Sequence, residues 1–257
     1  MEYEFVVLRS NFKIITARED PELVDRATAQ IDENWPEFML HDPVANNFSI
    51  CYRELPDYQF ILQDKTSGQL AAICNTIPVS WSGDFNELPD TGWDWVMTLG
   101  IDDLEQGRQT RTLSALQIVV FKKYRGQGLS SLAVECMRQL AREHGFHNLI
   151  APVRPTLKSQ YPLIPIENYI TWKNDKGRPF DHWLRVHYNV GGQIVKSCRN
   201  SMQIDGTAAQ WEKWTGIRFP ENGLYIIPGA LVPVNFDTEK DLGTYIEPNV
   251  WVVHSLL

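Results

Sequence analysis

The chain has 257 residues, 43% of them hydrophobic and 22% charged, an ordinary composition for a water-soluble protein of one large or two small domains. A net charge of −8 argues against a general nucleic-acid binder, which needs clustered cations, but a few local charges still suffice for a small phosphate-bearing ligand. Cys51, Cys74, Cys136 and Cys198 form no Cys-x-x-Cys pair, so structural zinc and dithiol redox chemistry lack support, and reduced thiols in a cytoplasmic protein are the simplest expectation.

Residues 3–16 hold two short β-prone runs, EFVVL and FKIIT, and the acidic start MEYEFVVLRS does not fit a secretory signal. Pro21 opens a helix expected over 21–34. Two apolar β-rich runs, 58–63 and 69–76, joined by DKTSG, read as a hairpin. Turn formers and aromatics over 80–95 suggest a loop. Residues 115–121 are apolar on both faces apart from Gln117, as in a strand covered on each side. An amphipathic helix follows: Leu129, Leu132, Ala133, Cys136, Met137, Leu140 and Ala141 share one face, with Glu135, Arg138, Arg142 and Glu143 outside it. Gly145 ends it, and 148–153 is another apolar strand. This order implies an α/β (α+β) chain with a mixed sheet. The apolar stretch 224–234 is broken by Pro228 and Pro233 and falls short of the ~20 residues of a membrane span.

Between the buried strand and the helix stands KKYRGQG. The first turn of a helix has N–H groups without intrahelical partners and carries partial positive charge. Glycines let such a backbone approach an anion closely. Lys122, Lys123 and Arg125 add charge, so strand, loop and helix start form a cradle for a diphosphate. In isolation RGQG is also what a glycine turn beside solvated cations looks like. Neither G-x-x-x-x-G-K-[ST] nor G-x-G-x-x-G occurs, and no His-Glu-x-x-His or G-x-S-x-G is present.

The run Ile118 to Ser130, IVVFKKYRGQGLS, resembles the acyl-CoA motif of the GNAT superfamily of N-acetyltransferases, Arg/Gln-x-x-Gly-x-Gly/Ala after a buried strand. Arg125, Gly128 and Ser130 take those places, Ser130 departing from Gly/Ala. The resemblance implies a GNAT-like fold: a mixed central sheet flanked by helices, in one domain over 1–257. Its acyl-CoA-binding core would span 58–195, with a long insertion and an extension, 200–257, packed on it. It implies acetyl-CoA or another short acyl-CoA as cosubstrate and no metal. The backbone of Ile118, Val119 and Val120 would meet the pantetheine arm. Lys123, Arg125, Gly126, Gln127, Gly128, Leu129 and Ser130 would hold the diphosphate.

Downstream, FDHWLRVHYNVGGQIV resembles the family's final helix, capped by Asp181 and ended by Gly191-Gly192. The family places a tyrosine acid four residues before a Gly-Phe pair. Here that place holds His187, and Gly192 stands for the Phe. On an apolar face His187 resists charging, and is either a buried structural histidine or a proton donor or relay. The segment 154–181 is longer than the usual connection, and either shapes a pocket or is an inert insertion. PTLKS, FDHWLRVH and EPNVWVVH are similar to GNAT-like loading domains of polyketide synthases, which decarboxylate malonyl-CoA and load an acyl carrier protein. That similarity would assign Thr156 to the thioester enolate and His187 to proton supply. Three functions remain open: acyl transfer to a small-molecule amine, with Glu167 the one carboxylate suggested as base; malonyl-CoA decarboxylation with S-acetyl transfer to a carrier; and a CoA-binding module without catalysis.

Overall fold

The computed structural model describes residues 10–31 and 34–257, and the run EFVVL at 4–8 lies outside them. In chain order come strand β1 (Phe12–Thr16), helices α1 (Pro21–Thr28) and α2 (Phe48–Glu54), and the hairpin β2 (Gln59–Asp64) and β3 (Leu70–Val79). Helix α3 (Gly92–Glu105), strand β4 (Thr112–Val120), helix α4 (Leu129–Glu143) and strand β5 (Asn148–Val153) follow. The remainder adds α5 (Ile166–Tyr169), α6 (His182–Asn189), β6 (Gln193–Gly206) and α7 (Ala208–Thr215). It closes with β7 (Gly223–Tyr225), β8 (Val234–Asp237) and β9 (Leu242–Ser255). The strands make one sheet ordered β1-β2-β3-β4-β5-β9-β8-β7, with β6 also paired to β9. Its β4–β5 pair is parallel and its other described pairs are antiparallel, so the sheet is mixed.

Strand alternation buries both faces of the sheet centre. Leu149 and Ala151 of β5 and Val250 and Val252 of β9 pack with the apolar stripe of α4, as read from its 3.6-residue period. Ile150, Trp251 and Val253 turn the other way, into a cluster with Trp93, Val96, Met97 and Ile101 of α3. The stretch read as an extension supplies β9, which pairs with β5 from Asn148↔Ser255 to Val153↔Val250.

Three expectations need correction. The segment 80–95 is not all loop, because α3 begins at Gly92 and Trp93 anchors its buried face. The apolar spacing that reveals this helix lies mostly beyond 95. The helix from Pro21 stops at Thr28. Strand β4 starts at Thr112 rather than 115, because the polar Thr112 and Ser114, both fully buried, disguised its first turn of alternation. Both tryptophans of α7 pack on the core: Trp214 is partly buried, and Trp211 is fully buried and donates Nε1–H to the Gly243 carbonyl at 2.8 Å.

Candidate active site

Strands β4 and β5 pair only from Thr112↔Asn148 to Ser114↔Ile150, and then part. The cause lies on the other edge of β4. Its register with β3 slips between Asn75↔Gln117 and Thr76↔Ala115, which leaves Leu116 as an extra residue. Such a bulge bends and overtwists its strand. Trp93 Nε1–H holds the bulge by donating to the Leu116 carbonyl at 2.9 Å. Beyond it the Phe121 N–H donates to Ala71 O at 3.0 Å. By the period of two, Val119 and Phe121 therefore turn their backbone polar groups to β3, and Ile118 and Val120 turn theirs to the gap. A cavity of about 810 Å³ follows, lined by Ala115 to Val120 on one side and Ala151 to Arg154 on the other.

The glycine loop borders the same cavity. Gly126 and Gly128 have φ of 77° and 82°, in the left-handed region that glycine adopts without a Cβ penalty. A Cβ built on Gly126 would meet nothing within 4 Å, so the turn stands open there. Gly128 caps α4 without a side-chain hydrogen bond. The first helical bond runs from the Leu132 N–H to Gly128 O, so the N–H groups of Leu129, Ser130 and Ser131 precede the ladder. Arg125 reaches back to Val120 O at 3.1 Å and to Asn34 Oδ1 at 2.6 Å. Arg125, Gly126, Gly128, Leu129 and Ser130 line the cavity. The side chains of Lys123 and Gln127 turn elsewhere, to Gln69 Oε1 at 2.6 Å and to the Lys123 carbonyl at 2.9 Å. Gln127 retains its backbone amide for the loop.

His187 and Thr156, 31 positions apart, line this cavity too. Asp181 ties their elements together. One carboxylate oxygen accepts from the Trp183 and Leu184 N–H groups and so caps α6. The other accepts from the Leu157 N–H at 2.8 Å and from Tyr169 Oη at 3.0 Å. The segment 154–181 is packed: Tyr161, Tyr169, Trp172 and Phe180 meet largely edge to face. His187 is 3% exposed, and its Nδ1 lies 2.9 Å from Nε2 of the fully buried His254. Burial lowers His187 to about 4 and His254 to about 2, the latter helped by the charge of His187 and then by those of Arg138 and Arg142. Both rings are uncharged at neutral pH. Glu167, the suggested base, lies away from the cavity in an exposed pair with Arg199.

Beyond the C-terminal end of β5 the cavity meets a charged floor that the sequence did not reveal. Arg154 Nε–H faces both oxygens of the buried Glu247 at 3.0 and 2.9 Å. Tyr245 Oη and Asn249 Nδ2 also donate to Glu247, at 2.8 and 3.1 Å. Behind this wall Asp42 and Asp94 crowd together, each with one buried oxygen that lacks a hydrogen-bond partner among the described residues. Burial first, then each other's charge and that of Glu247, raises Asp94 to about 8. Asp42 is raised to about 6 by burial and Glu247. A carboxyl raised in the folded state holds its proton longer there than in the unfolded chain, so stability falls as pH rises through the folded pKa. The two histidines, lowered from 6.5, add stability as pH rises but only up to that value. Above about pH 6.5 the Asp94 effect therefore leads, until Lys158, lowered to about 8 by burial, begins to release its proton in the folded state and acts in the opposite sense. The urea midpoint is expected to drop across that window, and to stay level in Asp94→Asn. Equal slopes in the two proteins would contradict a raised Asp94 carboxyl.

No family model matches the sequence. The arginine N-acetyltransferase avaD of Aspergillus versicolor is 35% identical over 249 residues, covering 86% of this chain and 85% of that protein. Among solved structures, the loading GNATL domain of CurA from Lyngbya majuscula superposes with a TM-score of 0.59 at 18% identity. That superposition covers 95% of this chain and 98% of that domain, and shows the same fold. Buried strand, glycine turn, helix start and next strand follow in the order that the resemblance of IVVFKKYRGQGLS led one to expect, whereas the bulge and the parting of β4 from β5 were not foreseen. The chain belongs to the GNAT superfamily and is an acyl-CoA-dependent acyltransferase, an enzyme rather than a bare CoA-binding module.

Proposed function

We propose that this enzyme transfers an acetyl group from acetyl-CoA to a nitrogen of arginine or of an arginine-bearing small molecule. The observation that carries the reading is the acidic floor: Glu247 lines the cavity that the phosphate loop borders, and Asp42 and Asp94 lie behind it. With Asp94 holding its proton at neutral pH, Glu247 and Asp42 face one guanidinium, Arg154, and the excess negative charge favours a cationic acceptor. The arginine-acetylating relative supports the same choice. The amides of 126–131 would hold the diphosphate, assisted by Arg125, and the backbone of Ile118 and Val120 would pair with pantetheine in the gap. The acceptor nitrogen attacks the thioester carbonyl; a C–N bond forms, the C–S bond breaks, and the nitrogen's proton ends on the departing sulfur. Positioning supplies much of the rate, and the uncharged His187 meets the thioester through the ring nitrogen that His254 leaves free. We read 1–257 as one domain, supported by the pairing of β9 with β5. The four cysteines are buried and are read as reduced thiols, in keeping with a cytoplasmic setting.

A second reading keeps one observation, that Thr156 shares the cavity with His187. In it malonyl-CoA loses CO2, Thr156 meets the enolate oxygen, and acetyl passes to the thiol of an acyl carrier protein. Mass spectrometry of products separates the two. Acetyl-CoA is offered with arginine, agmatine, lysine and citrulline, and malonyl-CoA with a carrier protein. Acetylated arginine or agmatine, with citrulline and malonyl-CoA untouched, is the expected outcome. Loss of CO2 with a loaded carrier would replace the first reading by the second.

A further inference from the structure

His254 was not singled out by the sequence, yet its ring is built into the wall behind His187. It sits on β9, opposite Leu149 of β5, at the end of the apolar run Trp251–Val253. A Cβ on Gly192 would come within 2.7 Å of His254 Cε1 and 2.9 Å of the His187 carbonyl. The glycine that ends α6, standing where the resemblance expected Phe, thus makes room for this imidazole.

Two uncharged imidazoles that share a hydrogen bond have one proton between them, and its owner decides what the outer nitrogens carry. If His187 donated, the Nδ1 of His254 would hold a proton. That Nδ1 is buried and has no partner among the described residues. A buried N–H without an acceptor is rarer and costlier than a bare acceptor nitrogen. The neighbourhood agrees. Arg138 and Arg142 of α4 act on His254, and the Arg138 Nε–H is itself buried without a partner among the described residues. A lone pair at Nδ1 suits that surrounding positive charge, and a second N–H opposes it. Glu135, which pairs with both arginines, is the acid on that helix face.

Resting on the reading above, we infer that His254 is a positioning residue: it donates its Nε2–H to His187 Nδ1 and so fixes His187 in the tautomer that presents Nε2–H to the thioester. An uncharged imidazole in that tautomer cannot release a proton without becoming an imidazolate. It acts instead as a fixed hydrogen-bond donor to the carbonyl oxygen as negative charge gathers there, the use of a neutral histidine that spares it a proton transfer. This replaces the proton-supplying role that the sequence suggested for His187.

Long-range proton–nitrogen correlation on the 15N-labelled enzyme reads the tautomers directly, with His187→Phe and His254→Gln assigning the signals. The expected pattern at pH 7 is a protonated Nε2 and bare Nδ1 on both rings. A proton on His187 Nδ1 would overturn the inference even in a fully active acetyltransferase, whereas an inactive enzyme with the expected tautomers would overturn only the functional reading. Kinetics supply the second arm. His254→Leu is expected to lower kcat on the order of 10- to 100-fold with the KM for acetyl-CoA within about threefold, the usual cost of removing an orienting partner. His254→Gln, whose amide can still donate, should recover part of the loss. Equal losses in Leu and Gln, or none in either, would leave His254 a packing residue.

Discussion

Replacing His187 by phenylalanine is expected to lower kcat on the order of 10²- to 10³-fold, the range for loss of one preorganised donor at a developing oxyanion. The dissociation constant for coenzyme A should stay within about threefold, because the amides proposed to bind it belong to the loop and to β4 rather than to α6. Phenylalanine keeps the ring volume beside the β9 wall and removes both ring nitrogens. The result therefore separates hydrogen bonding from packing, which alanine would not. It leaves the His254 Nε2–H without its acceptor, which costs about 1–3 kcal/mol of stability; activity must accordingly be compared at a temperature where both proteins are folded. Calorimetric titration with coenzyme A and initial rates with acetyl-CoA give the two numbers. Undiminished kcat in the phenylalanine variant would return His187 to the role of a buried core histidine.

The second large effect is expected at the loop. Gly128→Asp should raise the dissociation constant for coenzyme A by roughly two orders of magnitude, about 2.7 kcal/mol. Gly128→Ala is the control that divides this into backbone strain and charge. At φ 82° an alanine pays the left-handed penalty of about 1–2 kcal/mol, whereas aspartate visits that region more readily. If the open turn is a diphosphate cradle, the carboxylate repels the ligand and aspartate must bind more weakly than alanine, most visibly at low salt. Alanine weaker than aspartate would mean that strain alone is being read. Unchanged binding in both would remove the loop from the site.

Much of this architecture was legible because its signals are local. The hairpin around DKTSG, the stripe of α4, and strand β5 at 148–153 each follow from a short period, and the loop follows from two glycines at a strand-to-helix junction. What stayed hidden depends on partners far along the chain. Residue 254 reaches His187 across 67 positions, and Glu247 reaches Arg154 across 93. Helix α3 was concealed by the turn formers before it, although Trp93 proved to hold the bulge that opens the gap. Glu167 illustrates the opposite error. A carboxylate in a suggestive segment faces solvent and Arg199, because nothing in its local pattern says on which side of the chain the cavity forms.

The diphosphate of an acyl-CoA is expected on the glycine turn that opens α4. A crystal structure of the enzyme with coenzyme A tests this most directly. Phosphate oxygens are expected within hydrogen-bond reach of the N–H groups of 126–131, with a pantetheine arm running along Ile118 and Val120 between β4 and β5. Nucleotide density outside that gap, with the glycine turn left untouched, would contradict it.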